Sequence, residues 1–293
     1  MTFSPLDATI KSYLTELLVK IENHLDSDVL SYTGPIINGY ENILLKIIEQ
    51  MAQDAGKRKR LLIILTSPGG SATTVERYVN IIRHHYPEEI NFLVPDYAFS
   101  AGTIWCMSGD NIDMDYYSVL GPIDPQVQNK DGNLVAALGY LDKVNEMLKK
   151  AANKTLTNAE FLILKDIDLA ELRGYEQAKE LTITLLKKWL VQYKFKNWTV
   201  HRTDVVKKGK PVTDDEKKEA AKIVADKLSE TSTWCSHGRP INMKTLQDEI
   251  RLEIEDFGKD AVLSPLVRDY HGHLTEYLSK NPALIFSHTR LFI

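Results

Sequence analysis

The chain has little of what would tie it to an oxidising compartment, a membrane or a nucleic acid. Its 293 residues include only two cysteines, Cys106 and Cys235. They are too few for a disulfide framework and form no zinc motif. No apolar run reaches the roughly 18 residues of a membrane span. The N-terminal segment Met1 to Thr15 contains Asp7 and Lys11 and lacks the apolar stretch of a secretory signal. The expected location is the cytoplasm, with no membrane span. Basic charge is also scarce. With 36 Lys and Arg against 40 Asp and Glu, the formal net charge is −4. That excludes a general nucleic-acid binder, which needs a basic face to neutralise phosphates. The basic quartet Lys57-Arg58-Lys59-Arg60 reads as a solvated loop before a strand.

Cofactor signatures are missing as well. There is no G-x-G-x-x-G, and no lysine follows the paired glycines Gly69-Gly70, so a nucleotide site is disfavoured. His84-His85 and His271-Gly272-His273 have no third and fourth ligand nearby and read as structural or surface residues. Neither a cofactor nor a metal is expected. Cys106 falls within an apolar stretch and reads as a core residue.

What is present is an ordinary globular composition, 43% hydrophobic and 26% charged, on a chain long enough to bury a core. Residues 5–24 carry Ile10, Leu14, Leu17, Leu18 and Ile21 at helical spacing. A short strand is expected within 26–33 and a helix over 40–53. The continuous apolar run Leu61 to Leu65 predicts a strand covered on both faces. A helix follows over 71–86, then a strand at Phe92 to Val94, a buried helix from Ala101 to Met107, and short strands at 112–114 and 117–120. Alternating strands and helices imply right-handed crossovers and a parallel sheet. Residues 133–152 and 158–196 read as mostly helical, 201–210 as a turn or hairpin, 213–229 as a charged helix with a capping start, 231–240 as a loop, and 242–257 as a further helix. Residues 258–293 give a mixed pattern with no element assigned. No internal repeat or low-complexity segment is visible.

Two turns could carry chemistry. Thr66-Ser67-Pro68-Gly69-Gly70 sits between a strand and a helix, where paired glycines let backbone approach a ligand and turn an N–H outward. It is equally a tight connecting turn. Ser100, in Phe99-Ser100-Ala101-Gly102, lies at a second strand-to-helix turn, the setting of a nucleophile elbow but without the G-x-S-x-G sequence. Serine is also a favoured helix N-cap.

Taken with Val119-Leu-Gly-Pro-Ile-Asp-Pro-Gln126, the segments Thr66 to Gly70 and Tyr97 to Thr103 resemble the serine dehydrogenase proteinase family, within the superfamily of the Clp proteolytic subunit, signal peptide peptidase A and crotonase. The resemblance runs from about Val29 to about Glu255. It includes Phe161 to Asp166 and the loop Trp234-Cys-Ser-His-Gly-Arg-Pro-Ile241. The fold it implies is α/β, a ClpP/crotonase-like core of repeated β-β-α units with a helical C-terminal extension. The expected organisation is an N-terminal helix over 1–27, the core over 28–200, and a C-terminal helical region over 201–293.

The same resemblance implies the roles. Ser100 matches the nucleophile, and the N–H groups of Gly70 and Ala101 match the oxyanion hole. A serine also needs a base. Gly121 to Pro125, where the Clp subunit has its histidine, holds none. The family order Ser, Asp, His is met by Ser100, Asp124 and His237, although His237 precedes Gly238 where archaeal members often carry Asp. Asp166 or Asp168 could replace Asp124 as the orienting acid, and Asp124 alone also reads as a turn residue. For a Ser–Lys dyad of the signal peptide peptidase kind, Lys143, Lys149 and Lys150 fall in range, in a helix that reads as a solvated face with Asp142 and Glu146.

The function implied is a serine peptidase acting on peptide or protein substrates. Homo-oligomerisation is expected through 133–196, and delivery by an ATPase partner stays open. A ClpP-like scaffold that binds peptides without turnover is the competing reading. Acyl-CoA chemistry, as in crotonases, is a third, without a sequence sign of a CoA pocket.

Overall fold

The computed structural model describes residues 5–128, 134–202, 206–234, 236 and 238–292. Its frame is a six-stranded sheet in the order β10-β5-β3-β2-β1-β11. The strands are β1 (Asp28–Thr33), β2 (Arg60–Thr66), β3 (Glu89–Leu93), β5 (Asn111–Met114), β10 (Glu255–Asp256) and β11 (Phe286–His288). Five run parallel, as the alternation of strands and helices predicts. The sixth, β11, closes one edge antiparallel to β1.

The apolar run in β2 is continuous because both faces are covered, and the period of two assigns its side chains. Leu61, Ile63 and Leu65 join the larger core with α2 (Glu41–Gln53), α3 (Ala72–His85), α4 (Ala101–Cys106), α7 (Leu169–Trp189) and α8 (Asp214–Leu228). Leu62 and Ile64 face a second cluster under α1 (Pro5–Leu25) and α11 (Leu263–Lys280). Cys106 is buried in the larger core, as expected, and burial pushes its thiol pKa far up. Cys235 lies outside the described residues.

A second, small sheet stands at the carboxyl ends of the parallel strands. It pairs β4 (Tyr97–Ala98), β6 (Val119–Leu120) and β9 (Ile241–Asn242). An antiparallel pair of β7 (Gln126–Gln128) and β8 (Leu134–Ala136) leads into the helical excursion α5 (Ala137–Ala152), α6 (Asn158–Lys165) and α7, which ends in a π-helical turn at Leu190–Lys194. The expected turn or hairpin over 201–210 is framed by a bridge between Val200 and Pro211.

The C-terminal third departs from the sequence reading in three places. The segment expected as a loop over 231–240 opens with a helical turn at Thr231–Trp234. The expected helix over 242–257 is cut short. After the short helix α9 (Thr231–Trp234) and strand β9 come one turn, α10 (Met243–Thr245), and a π-helical turn, Leu246–Ile250. Arg251 is left-handed at φ +66, and the chain then extends into β10. Buried Leu252 and Ile254 alternate with exposed neighbours, the period of a strand. The region left unassigned, 258–293, contains the 18-residue helix α11 and the edge strand β11. Asp260 starts that helix by accepting from the amides of Val262 and Leu263, both at 2.9 Å, while His24 lies 2.7 Å from its other oxygen.

Arg290, just after β11, is held by charge. Arg290 donates to Glu22 (2.8 Å), Asp28 (2.7 Å) and Asp54 (2.6 Å), and Tyr86 adds a bond to Asp28 at 2.7 Å. Glu22 and Asp28 are fully buried. Burial raises the pKa of Glu22 in spite of the bond from the Val29 amide and the guanidinium groups of Arg290 and Arg58. Removing Arg290 would strand these carboxylates away from water. Arg290→Ala should therefore cost about 3–5 kcal/mol in urea denaturation; a loss below about 1 kcal/mol would show that the clasp is dispensable. Asp260 gives a pH signature. Its amide bonds and His24 lower its pKa from 3.8 to about 2. A lowered carboxyl pKa means stability that is present above about pH 4 and lost as pH falls towards 2. The melting temperature should drop across that window, and Asp260→Asn should flatten the drop.

Candidate active site

Strand β2 and the chain entering β4 are stitched together just before both turns. Ser67 N–H donates to Tyr97 O at 3.0 Å, and Phe99 N–H donates to Ser67 O at 2.9 Å. This pairing brings the glycine turn against the serine turn. A Cβ on Gly69 would lie 2.7 Å from Phe99 O and 2.8 Å from Ser100 Cβ. The position therefore tolerates no side chain, and its φ of +104 also favours glycine.

Gly70 is oriented by its neighbours. Ile36 N–H donates to Gly69 O at 2.8 Å, and Ser71 N–H donates to Ile36 O at 2.9 Å. The peptides are trans. With the Gly69 carbonyl aimed at Ile36, the N–H of the same peptide, that of Gly70, points the opposite way. Gly69 is buried and Gly70 is exposed, so this N–H belongs to an accessible residue.

Ser100 is buried, with φ +51 and ψ −114. Positive φ is costly for a residue with a Cβ and persists only where surrounding structure imposes it. Here the chain must pass from β4 into α4 within two residues, Phe99 and Ser100. Thr103 holds that turn from below. Its hydroxyl lies 2.8 Å from Ala98 O and 2.9 Å from Gly121 O, donating to one of them, and accepts from Gly121 N–H at 3.1 Å. The N-cap alternative for Ser100 is not what the side chain does: it makes no capping bond to α4. Ser71, at the start of α3, shows a real cap, accepting from Thr74 N–H at 3.2 Å. Ala101 is the first residue of α4, so its N–H is one of the amides a helix start leaves without a partner in the helix.

The acids fall in different places. Asp124 is buried, and its Oδ1 accepts from Leu138 N–H at 3.0 Å, anchoring the start of α5. Asp166 is exposed at the C-cap of α6. Asp168 is the exposed N-cap of α7, accepting from Ala170 N–H at 2.7 Å.

The lysines are engaged in ion pairs or exposed. Lys143 lies 2.9 Å from Glu146. Lys150 lies 2.9 Å from Glu146 and 2.7 Å from Glu160. Those carboxylates raise the Lys150 pKa, the opposite of what a lysine base requires. Lys149 is exposed.

His237 lies outside the described residues. The strand that follows its loop is informative, however. Ile241 pairs with Leu120 and Asn242 with Val119, antiparallel. Pro240 therefore enters the small sheet beside the end of β6, the end from which Gly121 to Asp124 continue. Because β4 runs parallel to β6, Ser100 leaves the sheet at that same end.

One histidine that the sequence reading set aside also reaches this region. His271 Nε2 lies 3.4 Å from Thr66 Oγ1, at the last residue of β2. The spacing of Leu263, Val267, Tyr270, Leu274 and Tyr277, every three or four residues, was the available signal for its helix. Among the described residues, no group of three or more His, Cys, Asp and Glu could hold a metal ion.

Comparison with known proteins bears on this arrangement. The chain is 33% identical over 150 residues to an uncharacterized protein of Methanocaldococcus jannaschii, covering 47% of this chain and 50% of that protein. A second uncharacterized protein of the same organism is 27% identical over 192 residues, 66% of this chain and 51% of that one. The chain thus spans about half the length of these relatives. A mutant of the 1510-N membrane-bound stomatin-specific protease, solved in complex with a substrate peptide, aligns with a TM-score of 0.45 at 14% identity, over 78% of this chain and 73% of that one. Another mutant of that protease aligns with a TM-score of 0.32 at 18% identity, over 50% and 82%. A model of the ClpP-like SDH-type serine proteinase family matches residues 36–231, a span that holds the glycine turn, Ser100 and Asp124. With about two thirds of its length matched, the chain belongs to the ClpP-like SDH-type serine proteinase family.

Proposed function

We propose that the protein hydrolyses peptide bonds with Ser100 as nucleophile. The observation that carries this reading is the strained turn at Ser100, whose side chain makes no capping bond and whose Cβ faces the glycine turn. Ser100 Oγ attacks the scissile carbonyl carbon and its proton passes to His237. The carbonyl oxygen, now an oxyanion, is held by the N–H groups of Gly70 and Ala101. Two backbone donors suit this task because they are fixed before charge develops. His237, oriented by Asp124, then returns the proton to the leaving amine, and water repeats the sequence on the acyl-enzyme.

The substrate is an extended peptide. The Gly70 N–H and C=O both lie on the side of the turn away from Ile36, since the flanking Gly69 O and Ser71 N–H take Ile36. Backbone groups turned outward in this way can accept a peptide as an added strand. Among the described residues, no helix is long and apolar enough to cross a membrane.

The chain also self-associates through its helical excursion. In α6, Phe161, Leu162 and Ile163 are consecutive and each more than half exposed, and no residue of the helix is buried. Consecutive positions point around a helix rather than along one face, so covering them takes a surrounding surface. A groove of about 400 Å³ between α5 and α7, whose apolar floor of Leu141, Val144, Leu148 and Leu172 is rimmed by polar and charged residues such as Arg173 and Glu176, offers one on another copy.

Labelling with a fluorophosphonate probe tests the nucleophile. The wild type should label and cleave unstructured peptides, and Ser100→Ala should lose both, with turnover down at least about 10³-fold. Peptide binding that survives Ser100→Ala, with no cleavage by the folded wild type, would establish the scaffold reading instead. For assembly, sedimentation should show a species larger than the 33.3 kDa chain at micromolar concentration. Phe161→Glu should shift it towards the monomer. A wild type that sediments only as a monomer sinks that part.

A further inference from the structure

Helix α11 lies beyond the span that the family model matches, yet it crosses the carboxyl edge of the sheet. Val267, Tyr270 and Leu274 pack with Leu62 and Ile64 on the second face. Thr66 continues the alternation from Leu62 and Ile64, so its side chain emerges on that same face, at the last position of β2. There its hydroxyl shares a hydrogen bond with His271 Nε2 at 3.4 Å. Thr66 is itself buried, and its carbonyl accepts from Gly34 N–H at 3.0 Å.

His271 reaches the strand end that leads into the glycine turn. Thr66 stands directly ahead of that turn. The carboxylate of Asp96, directly ahead of β4, acts on the ring electrostatically, and the Asp96 backbone carbonyl accepts from Val119 N–H at 2.8 Å. Burial lowers the imidazole pKa against the opposing pull of the Asp96 carboxylate, so the ring is neutral and able to bond Thr66 at neutral pH.

We propose that His271 is a positioning residue of the site: α11 fixes Thr66 through this imidazole, and through Thr66 the turn that presents Gly70 to Ser100. The proposal rests on the reading of Gly70 as an oxyanion donor. Its physical basis is the short mechanical path. Thr66 is followed by Ser67, both of whose backbone groups are bound to the chain around β4. Any shift of Thr66 is carried into the turn, because no free residue lies between them. Oxyanion donors act only within a few tenths of an ångström of their optimum, and a displacement of about 1 Å can cost on the order of 10²-fold in rate.

Hydrogen exchange in the full-length protein tests this without depending on turnover. In His271→Ala, amides in 66–71 and 96–102 should exchange about tenfold faster, as expected for loss of one side-chain bond. Those of α2 and α5 should keep their wild-type rates. His271→Gln, which keeps a bonding group, should restore protection. In peptide cleavage, His271→Ala and Thr66→Val should each lower kcat about tenfold with KM within about twofold, and the double variant should be no worse than either single one. Unchanged exchange in 66–71, a uniform rise across all elements, or additive losses in the double variant would overturn the proposal. A wild type whose Ser100 takes no probe would instead refute the peptidase reading, leaving exchange to decide the role of His271.

Discussion

The structure depends on one close approach, that of the Gly69-Gly70 turn to the peptide of Ser100. The two turns belong to consecutive strand-to-helix connections, and they meet because Ser67 is hydrogen-bonded on both sides to the chain around β4. At that separation a single methyl group on Gly69 would lie 2.8 Å from Ser100 Cβ. The approach also requires Ser100 at positive φ, a conformation that costs of order 1–3 kcal/mol. A strained residue of that kind has to be held by its surroundings. Here they are specific: Thr103 ties Ala98 and Gly121 together, Gly121 receives the Phe99 ring where any side chain would collide, and Gly102 lets α4 settle against Ser67.

The two faces of the main sheet serve this approach differently. The larger core, with Trp105 packed edge-on against Tyr32, Tyr78 and Phe92, fixes α4 and therefore the helix start at Ala101. The second face, under α1 and α11, fixes β2 and therefore the glycine turn. The Arg290 clasp joins the segment after α11 to Glu22, Asp28 and Asp54, so the helix that reaches Thr66 is anchored on its C-terminal side. Residues 201–293 consequently contribute to both clusters: Val224, Leu228 and Ile241 to the first, Val267 and Tyr270 to the second.

Legibility in the sequence followed the length of the pattern. The apolar run of β2, the helical spacing in α1 and α3, and the turns at Gly69-Gly70 and Ser100 stand out because each repeats a period or breaks one sharply. Strands β4 and β9 are two residues long and have no period to detect, so only the backbone pairing reveals them, whereas β6 falls within the short strand expected over 117–120. The helix expected over 242–257 failed because nothing in Glu249-Ile250-Arg251-Leu252 announces a left-handed residue, and Arg251 is an unusual choice for one. Helix α11 was readable from the spacing of Leu263, Val267, Tyr270, Leu274 and Tyr277, but Pro265 near its start and the His271-Gly272-His273 sequence interrupt helical propensity and mask the stripe. With the helix went the placement of His271. The family motifs single out Ser100 and the glycine turn because these are local in sequence. Acid and base are not local, and the pattern alone offered several candidates for each.

That division has a structural cause. A nucleophile and an oxyanion turn can be built from neighbouring connections of one parallel sheet, since every such connection ends at the same edge. A third group must come from a strand that arrives from elsewhere. The small sheet supplies the route: β6 adds to β4 in parallel, and β9, more than a hundred residues later in the chain, adds to β6 in the opposite direction. The antiparallel entry matters. It makes Pro240, rather than Met243, lie beside the end of β6 from which Gly121 to Asp124 continue and at which β4 delivers Ser100. A parallel β9 would have turned the preceding loop to the far end. Two backbone pairs therefore determine which part of the C-terminal region enters beside the end of the small sheet at which Ser100 lies, and they do so independently of what side chain that loop carries.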